Sequence, residues 1–288
     1  MAAGSASLSF RNPGLDYLRT LSISIVLANH CLIGFFFDAG RAQWSGVTAQ
    51  LSASAIISIE WLFVLSGYLI GTMMIRSFER PGTWASRTRD FWLRRWFRTI
   101  PNYYLFLLVN VALVYLGVAA GTFQWTYLVF SQNLVFPEQQ PHFFGESWSL
   151  ATDEWFYFLM PLILGLVMLY RRIGVQTAFL LTAAILIVGP IVTRSLHPVP
   201  ADFFAWDAQI RRITLYHLDA TGWGVLAAAV NRWHKPWWTS APGAKALAGA
   251  ATSVLGLAMI WLLVGAGWQA GWLQVAMNAL SLTLMGAG

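Results

Sequence analysis

Charged residues, lysines and cysteines are scarce in this sequence, and each shortage excludes a class of protein. Only 10% of the 288 residues are charged, whereas soluble domains carry about 25%. The single cysteine, Cys31, excludes an intramolecular disulfide and any cysteine-based metal site. The histidines and acids of the loops also lack ligand spacing, so we predict no metal centre. Neither a Gly-rich phosphate loop nor a Gly-x-Ser-x-Gly elbow is present.

Hydrophobic residues, by contrast, make up 57% of the chain and fall into long runs. Eight runs of near-spanning length lie near residues 15–37, 52–75, 100–120, 149–170, 175–193, 213–231, 244–265 and 269–287. The first run follows no signal-peptide pattern and is interpreted as a retained span. The sequence therefore predicts one all-α domain over 1–288, a transmembrane helix bundle of about eight spans in a lipid bilayer.

The distribution of arginine predicts the orientation of the bundle. Seven of the sixteen arginines lie between the second and third runs: Arg76, Arg80, Arg87, Arg89, Arg94, Arg95 and Arg98. The positive-inside rule places this loop in the cytoplasm, together with the N-terminus, and alternation then brings Arg171, Arg172, Arg232 and Lys235 inside as well. We attribute the net charge of +6 to this topology and to phosphate contacts, and expect no nucleic-acid partner.

Residues 121–147 interrupt the series of apolar runs. The arginine clusters agree on one topology only if this segment starts and ends on the outer side. It is too short and too polar to cross the membrane twice. We therefore predict an interfacial or re-entrant segment on the outer face.

The first run carries Arg19 near its start and His30 further along, spaced eleven positions apart. At ~100° per residue both side chains share nearly one helix face, separated by ~16 Å along the axis. Ionisable residues inside spans are costly and are functional candidates. The alternative for His30 is a hydrogen bond between helices.

Three carboxylates are predicted to lie in the same half of the membrane as His30, namely Glu60, Asp153 and Glu154. A histidine supported by a carboxylate is held in one tautomer and can act as a general base. Asp153 and Glu154 can alternatively be explained as negative charge at a helix N-terminus. Ser66–Gly67 is most simply a close-packing point between helices.

The stretch "FWLRRWFRTIP" supplies Arg94, Arg95 and Arg98 on the cytoplasmic side. Arg95 and Arg98 are spaced i, i+3 and so face the same way on a helix. Guanidinium groups match phosphate oxygens, which predicts a cytoplasmic ligand with several phosphates. For any single arginine, positive-inside anchoring is the alternative.

Taken in order, six segments resemble acyltransferase family 3, whose members are membrane-bound and O-acylate bacterial surface and secreted carbohydrates. The segments are "LDYLRTLSISIVLANH", "EWLFVLSGYLI", "FWLRRWFRTIPNYYL", "SQNL", "ESWSLATDEWFYFLMPLIL" and "YHLDATGWGVLAA". The resemblance covers roughly residues 14 to 230. It implies a multi-pass protein of the bacterial cytoplasmic membrane.

The resemblance also implies roles for individual residues. His30 corresponds to the histidine regarded as catalytic, and Arg19 to the arginine on its helix face. Arg95 and Arg98 correspond to a cytoplasmic pair that contacts the phosphates of acyl-CoA. Glu154 corresponds to the second acid after the Trp-Ser motif.

The chain departs from the family pattern at three places. Glu60 stands where Asp is frequent, and His217-Leu218-Asp219 stands where Arg-Leu-Asp is common, so Asp219 ranks low as a site residue. Family members usually have about ten spans, whereas this sequence ends at Gly288 after about eight. The resemblance leaves open a shorter member or a domain without its last spans.

The resemblance and the residues together predict an enzyme that moves an acyl group, acetyl as the family's commonest donor, from cytoplasmic acyl-CoA to a carbohydrate hydroxyl. His30 would serve as general base or carry the acyl group transiently, with Glu60, Asp153 and Glu154 nearby. Arg94, Arg95, Arg98 and Arg19 would hold the co-substrate. The alternative is a proton-coupled transporter whose permeation path contains His30 and the acids.

Overall fold

Regular structure is entirely helical in the part of the chain that the computed structural model describes, residues 13–33, 54–170, 173–265 and 271–287. Each apolar run carries one long helix, which confirms the predicted all-α class. The eight long helices are α1 Pro13–Ile33, α2 Ile56–Phe78, α3 Trp84–Tyr115, α4 Ser147–Met168, α5 Val175–Leu196, α6 Asp219–Trp233, α7 Pro242–Gly265 and α8 Gly271–Ala287. Short helical turns connect several of them.

Five helices within the described ranges are long and apolar enough to cross a membrane, namely α2, α3, α4, α5 and α7. α6 and α8 contain only 15 and 17 residues, and α1 carries polar residues along its length. The architecture is that of a multi-pass membrane protein. The total of eight spans and the cytoplasmic N-terminus stay predictions, and Arg171 and Arg172 lie outside the described residues.

Helix α3 begins well before the third apolar run, so most of the predicted arginine loop is helical. Thr83 caps this helix, its Oγ1 accepting from the backbone N–H of Ser86 at 3.2 Å. The arginines that follow are good helix formers. At 32 residues, α3 is ~48 Å long, longer than a hydrocarbon core of ~30 Å. Its arginine-rich first turns therefore extend beyond one side of the apolar layer.

Glycines bring α2 and α6 into backbone contact. A Cβ on Gly67 would lie 2.0 Å from the carbonyl oxygen of Thr221, and one on Gly224 would lie 2.1 Å from that of Val64. Small residues allow this approach between membrane helices. The interpretation of Ser66–Gly67 as a packing point is thus confirmed.

A buried ion pair ties α5, α6 and α8 together. Both guanidinium Nη atoms of Arg194 donate to the Asp219 carboxylate, at 3.0 and 2.7 Å, and both side chains are fully buried. Arg194 also donates to the Thr283 hydroxyl on α8 at 2.9 Å. Asp219 is thereby occupied in packing, in keeping with its low rank as a site residue.

The segment 121–147 is irregular apart from one 3₁₀ turn, and it is anchored by its backbone. The hydroxyl of Tyr103 on α3 donates to the carbonyl of Tyr127 at 2.7 Å. Asn133 Nδ2 donates to the carbonyls of Trp148, at 3.1 Å, and Arg212, at 2.6 Å. The segment therefore joins α3 and the start of α4 to the stretch before α6. Its placement at the outer membrane face stays a prediction.

Candidate active site

A cavity of about 300 Å³ opens beside His30. It lies among the end of α1, the start of α2, the start of α4 and the stretch between α5 and α6. Its lining consists of Val26, Asn29, His30, Ala55, Ile56, Ile59, Trp148, Phe203, Phe204, Asp207, Arg211 and Arg212. Among the described residues, the His30 cavity thus combines an imidazole, two guanidiniums and one carboxylate with aromatic and aliphatic walls.

The hydrogen bonding of His30 fixes its tautomer. Nδ1 lies 2.8 Å from the backbone carbonyl of Val26, one turn earlier in α1. A carbonyl can only accept, so Nδ1 carries a proton, and in the neutral imidazole Nε2 then carries the lone pair. Nε2 has no hydrogen-bond partner in the part of the chain described. His30 is therefore arranged to accept a proton, with a backbone carbonyl in the place where a carboxylate was expected.

Asp207 is the carboxylate that lines the His30 cavity, and it bridges two arginines. Its Oδ1 accepts from Arg211 Nε and its Oδ2 from Arg212 Nε, the latter at 2.6 Å. Burial disfavours the charged form, but the two guanidiniums outweigh it and hold the pKa of Asp207 below its ordinary value. This carboxylate therefore stays ionised at neutral pH, and the cluster carries one excess positive charge.

Stacked rings support this cluster from behind. The Arg211 guanidinium lies 4.5 Å from the ring centroid of Trp148, and Trp148 stacks on His217 at 5.7 Å and 12°. His217 Nδ1 donates to the carbonyl of Arg211, and its Nε2 lies 2.7 Å from Glu60 Oε1. Glu60 and His217 are both fully buried. This pair therefore holds Trp148 and the Arg211 backbone in place.

The structure places the three predicted carboxylates away from the imidazole of His30. Glu60 bonds His217, as described above. Asp153 and Glu154 lie near Arg95, whose guanidinium carbon is 4.9 Å from the Tyr157 ring centroid. A catalytic role for these acids stays a prediction, and the geometry gives Glu60 a supporting position.

Glu154 lines a different groove from His30. That groove, also about 300 Å³, lies between α3, α4 and the 3₁₀ turn Trp125–Val129. Its walls are mainly aromatic, with Trp96, Ile100, Tyr104, Leu128, Val129, Phe130, Trp155 and Phe158. Glu154 and His30 therefore face separate spaces.

A second, larger cavity of about 860 Å³ lies at the opposite end of α1 and α2. Its lining in the described part of the chain includes one carboxylate and four arginines, namely Arg19, Arg76, Arg80 and Arg94. That carboxylate, Asp16, lies 3.8 Å from Arg19. The basic cavity therefore has a strong excess of positive charge, and it brings the predicted residues Arg19 and Arg94 together.

The two other predicted phosphate ligands lie outside the lining of the basic cavity. Arg95 turns toward Tyr157 and the acids of α4. Arg98 is exposed. Their contact with a phosphate-bearing ligand stays a prediction.

Several residues that line the two cavities carry little signal in the sequence. Asp207, Arg211 and Arg212 precede the sixth apolar run and look like loop residues. The only local signal is the i, i+4 spacing of Asp207 and Arg211. For Arg76 and Arg80 the sequence predicts only a role in topology.

Comparison with known proteins accounts for nearly the whole chain. The chain matches the acyltransferase 3 family, described as an acyltransferase domain, over residues 12–288. It is 26% identical over 232 residues to the O-acetyltransferase OatA of Staphylococcus aureus strain NCTC 8325, and equally to that of strain COL. These alignments cover 73% of this chain and 34% of OatA, so the chain spans about a third of the length of these relatives. No solved structure matches it. This multi-pass helical protein belongs to the acyltransferase 3 family.

Proposed function

We propose that this protein transfers an acyl group, with acetyl as the expected case, from acyl-CoA in the basic cavity to a carbohydrate hydroxyl in the His30 cavity. The observation that carries the proposal is the position of these two cavities at opposite ends of α1 and α2. The arginines of the basic cavity suit phosphate groups, and His30 in the other cavity suits proton transfer. The relatives named O-acetyltransferase support the same reaction class.

The charge of the basic cavity supports CoA as the donor carrier. CoA carries a pyrophosphate and a ribose phosphate, and planar guanidiniums bind phosphate oxygens in pairs. Arg19, Arg76, Arg80 and Arg94 surround a space of about 860 Å³ with one carboxylate among them. This arrangement favours a ligand with several negative charges.

The distance between the cavities suits an extended arm. Arg19 and His30 lie on the same helix, ~16 Å apart along its axis. The pantetheine arm of CoA is long and thin, so the phosphates can stay among the arginines while the thioester reaches His30. We therefore propose that the acyl group travels along the α1–α2 face.

His30 is the proposed general base. Its Nε2 removes the proton of the acceptor hydroxyl while that oxygen attacks the thioester carbonyl. Collapse of the tetrahedral intermediate breaks the carbon–sulfur bond, and the departing CoA thiolate takes the proton from His30. An acyl group carried transiently on Nε2 is the alternative, in which label from the donor stays on the protein.

A carbohydrate acceptor is proposed from the family resemblance and from the cavity walls. Phe203 and Phe204 contribute aromatic side chains to the lining of the His30 cavity. Pockets of this kind combine apolar and aromatic walls with a few polar groups. The C–H faces of a sugar fit such walls, while its hydroxyls reach the imidazole.

The test combines acyl transfer with CoA binding. Membranes containing the wild type are expected to transfer labelled acetyl from acetyl-CoA to glycan, and His30→Ala should abolish the transfer. CoA should raise the Tm of the purified wild type, since a ligand at 100-fold its Kd stabilises the folded state by about 2.7 kcal/mol. His30→Ala should keep this rise because His30 lies in the other cavity.

A matched pair on α3 locates the CoA site. Arg94→Gln should remove most of the CoA-induced rise in Tm, whereas Arg98→Gln, one helical turn further on, should keep it. The reverse result would move the phosphates to the pair predicted from the sequence. A protein that neither binds CoA nor transfers acetyl would contradict the proposal and favour the transporter.

A further inference from the structure

We propose that Arg211 is a further catalytic residue, which donates a hydrogen bond from the Nη end of its guanidinium to the acyl carbonyl oxygen as that oxygen becomes negative. This inference rests on the proposed function. The guanidinium of Arg211 is a buried cation that lines the same cavity as His30 and has a hydrogen-bond donor without a partner among the described residues. The side chain of Arg211 is only 6% exposed, and its Nη1 has no partner among the described residues.

An unpaired donor at this depth has an energetic cost that needs an explanation. Buried polar groups are almost always hydrogen-bonded, and an exception calls for an explanation, of which a catalytic role is one. Arg211 donates through Nε to Asp207. Both Nη atoms are therefore left without a partner among the described residues, at the end of a side chain that lines the cavity.

The surroundings hold this donor rigidly. Asp207 fixes one edge of the guanidinium, and the ring of Trp148 covers one face at 4.5 Å. Trp148 is itself stacked on His217, which bonds the Arg211 carbonyl. Rigid donors placed where charge develops are effective because they need no reorganisation during the reaction.

The chemistry of acyl transfer requires such a donor. As the acceptor oxygen forms its bond to the thioester carbon, the carbonyl π electrons move to oxygen and create an oxyanion. His30 holds the acceptor proton at that moment, so the oxyanion needs a separate donor. Arg211 supplies it, and the electrons return when the carbon–sulfur bond breaks.

Kinetics provide the first arm of the test. Arg211→Gln should lower kcat for acetyl transfer by about 100-fold to 1000-fold, the loss typical of an oxyanion-hole donor. The KM for acetyl-CoA and the CoA-induced rise in Tm should stay within twofold of wild type, since both report on the other cavity. Arg89→Gln, whose side chain is 73% exposed, is the matched control and should leave kcat unchanged.

Infrared spectroscopy provides a second test, because a purely structural role of Arg211 would leave the C=O stretching frequency of bound acetyl-CoA unchanged. In the inactive His30→Ala background, acetyl-CoA labelled with ¹³C at the carbonyl should show a C=O stretch shifted to lower frequency on binding. The double variant His30→Ala/Arg211→Gln should lose this shift while still binding CoA. Arg211→Lys replaces Arg211→Gln if the latter does not accumulate, since one ammonium cannot hold Asp207 and face the cavity in the same fork geometry.

The outcomes separate this assignment from the proposed function. Absence of acetyl transfer by the wild type would overturn the proposed function and the assignment together. A wild type that transfers acetyl, with Arg211→Gln at wild-type kcat, would overturn the assignment alone. An unchanged C=O frequency between the two inactive variants would also overturn it, and would move Arg211 to binding of the acceptor.

Discussion

At the scale of single residues, two histidines show how neighbours decide what an imidazole can do. His30 donates from Nδ1 to a backbone carbonyl and keeps Nε2 without a partner in the described chain. His217 has both ring nitrogens engaged, by the carbonyl of Arg211 and by Glu60. Of these two described histidines, His30 is therefore the one with a ring nitrogen available to a substrate proton, while His217 holds neighbouring groups in position.

The charge cluster on the wall of the cavity gives a prediction of pH dependence. Asp207→Asn should lower the Tm at pH 7, because Arg211 and Arg212 lose their shared counter-charge. The pKa of Asp207 is depressed below its ordinary 3.8, so its stabilisation is complete above that pH and is lost as the pH falls through the depressed pKa. The Tm difference between wild type and variant should hold from pH 7 to about 5 and shrink below about pH 4.

Thermal unfolding followed by tryptophan fluorescence across this pH range measures that difference. Asp90→Asn, at a half-exposed side chain, is the control and should shift Tm little at any pH. A gap of the same size at pH 3 as at pH 7 would show that Asp207 stabilises through shape and hydrogen bonding alone.

At the scale of helices, apolar periodicity predicts the existence of elements better than their limits. All eight apolar runs contain a helix, and five of these helices are long and apolar enough to cross a membrane. The start of α3 at Trp84 could not be read from hydropathy, since a capped, arginine-rich helix continues into water. Contacts between distant helices, such as Gly67 against Thr221, are likewise invisible in a single sequence.

The α2–α6 contact gives a prediction at the scale of helices. Gly67→Ala should destabilise the protein by about 1–3 kcal/mol or more, because the new Cβ would meet the Thr221 carbonyl oxygen at 2.0 Å and separate the helices. Gly189→Ala on α5 is the matched control, since nothing lies within 4 Å of its Cβ position. The yield of folded protein and its Tm should fall for the first variant and stay level or rise for the second. Equal Tm values would mean that α2 and α6 can move apart without loss.

At the scale of the whole molecule, the site could be predicted only in part, for a physical reason. His30, Arg19 and Arg94 stand out because charge inside or beside an apolar run is costly and so needs a purpose. Arg211 does not stand out, since its role depends on Asp207, Trp148 and His217 meeting around it. These contacts join separate segments of the chain, so they depend on the fold and cannot be predicted from local residue spacing.

The orientation of the molecule can be tested directly, and the proposed mechanism depends on it. CoA is a cytoplasmic compound, so the arginine-rich start of α3 must face the cytoplasm and the stretch between α5 and α6 must face outward. In a Cys31→Ala background, Arg89→Cys and Ala201→Cys introduce thiols at exposed positions of these two regions. A membrane-impermeant maleimide added to intact spheroplasts should label Ala201→Cys alone, and permeabilised cells should show both labelled. Labelling of Arg89→Cys in intact spheroplasts would place the basic cavity outside, where it could not meet cytoplasmic acyl-CoA.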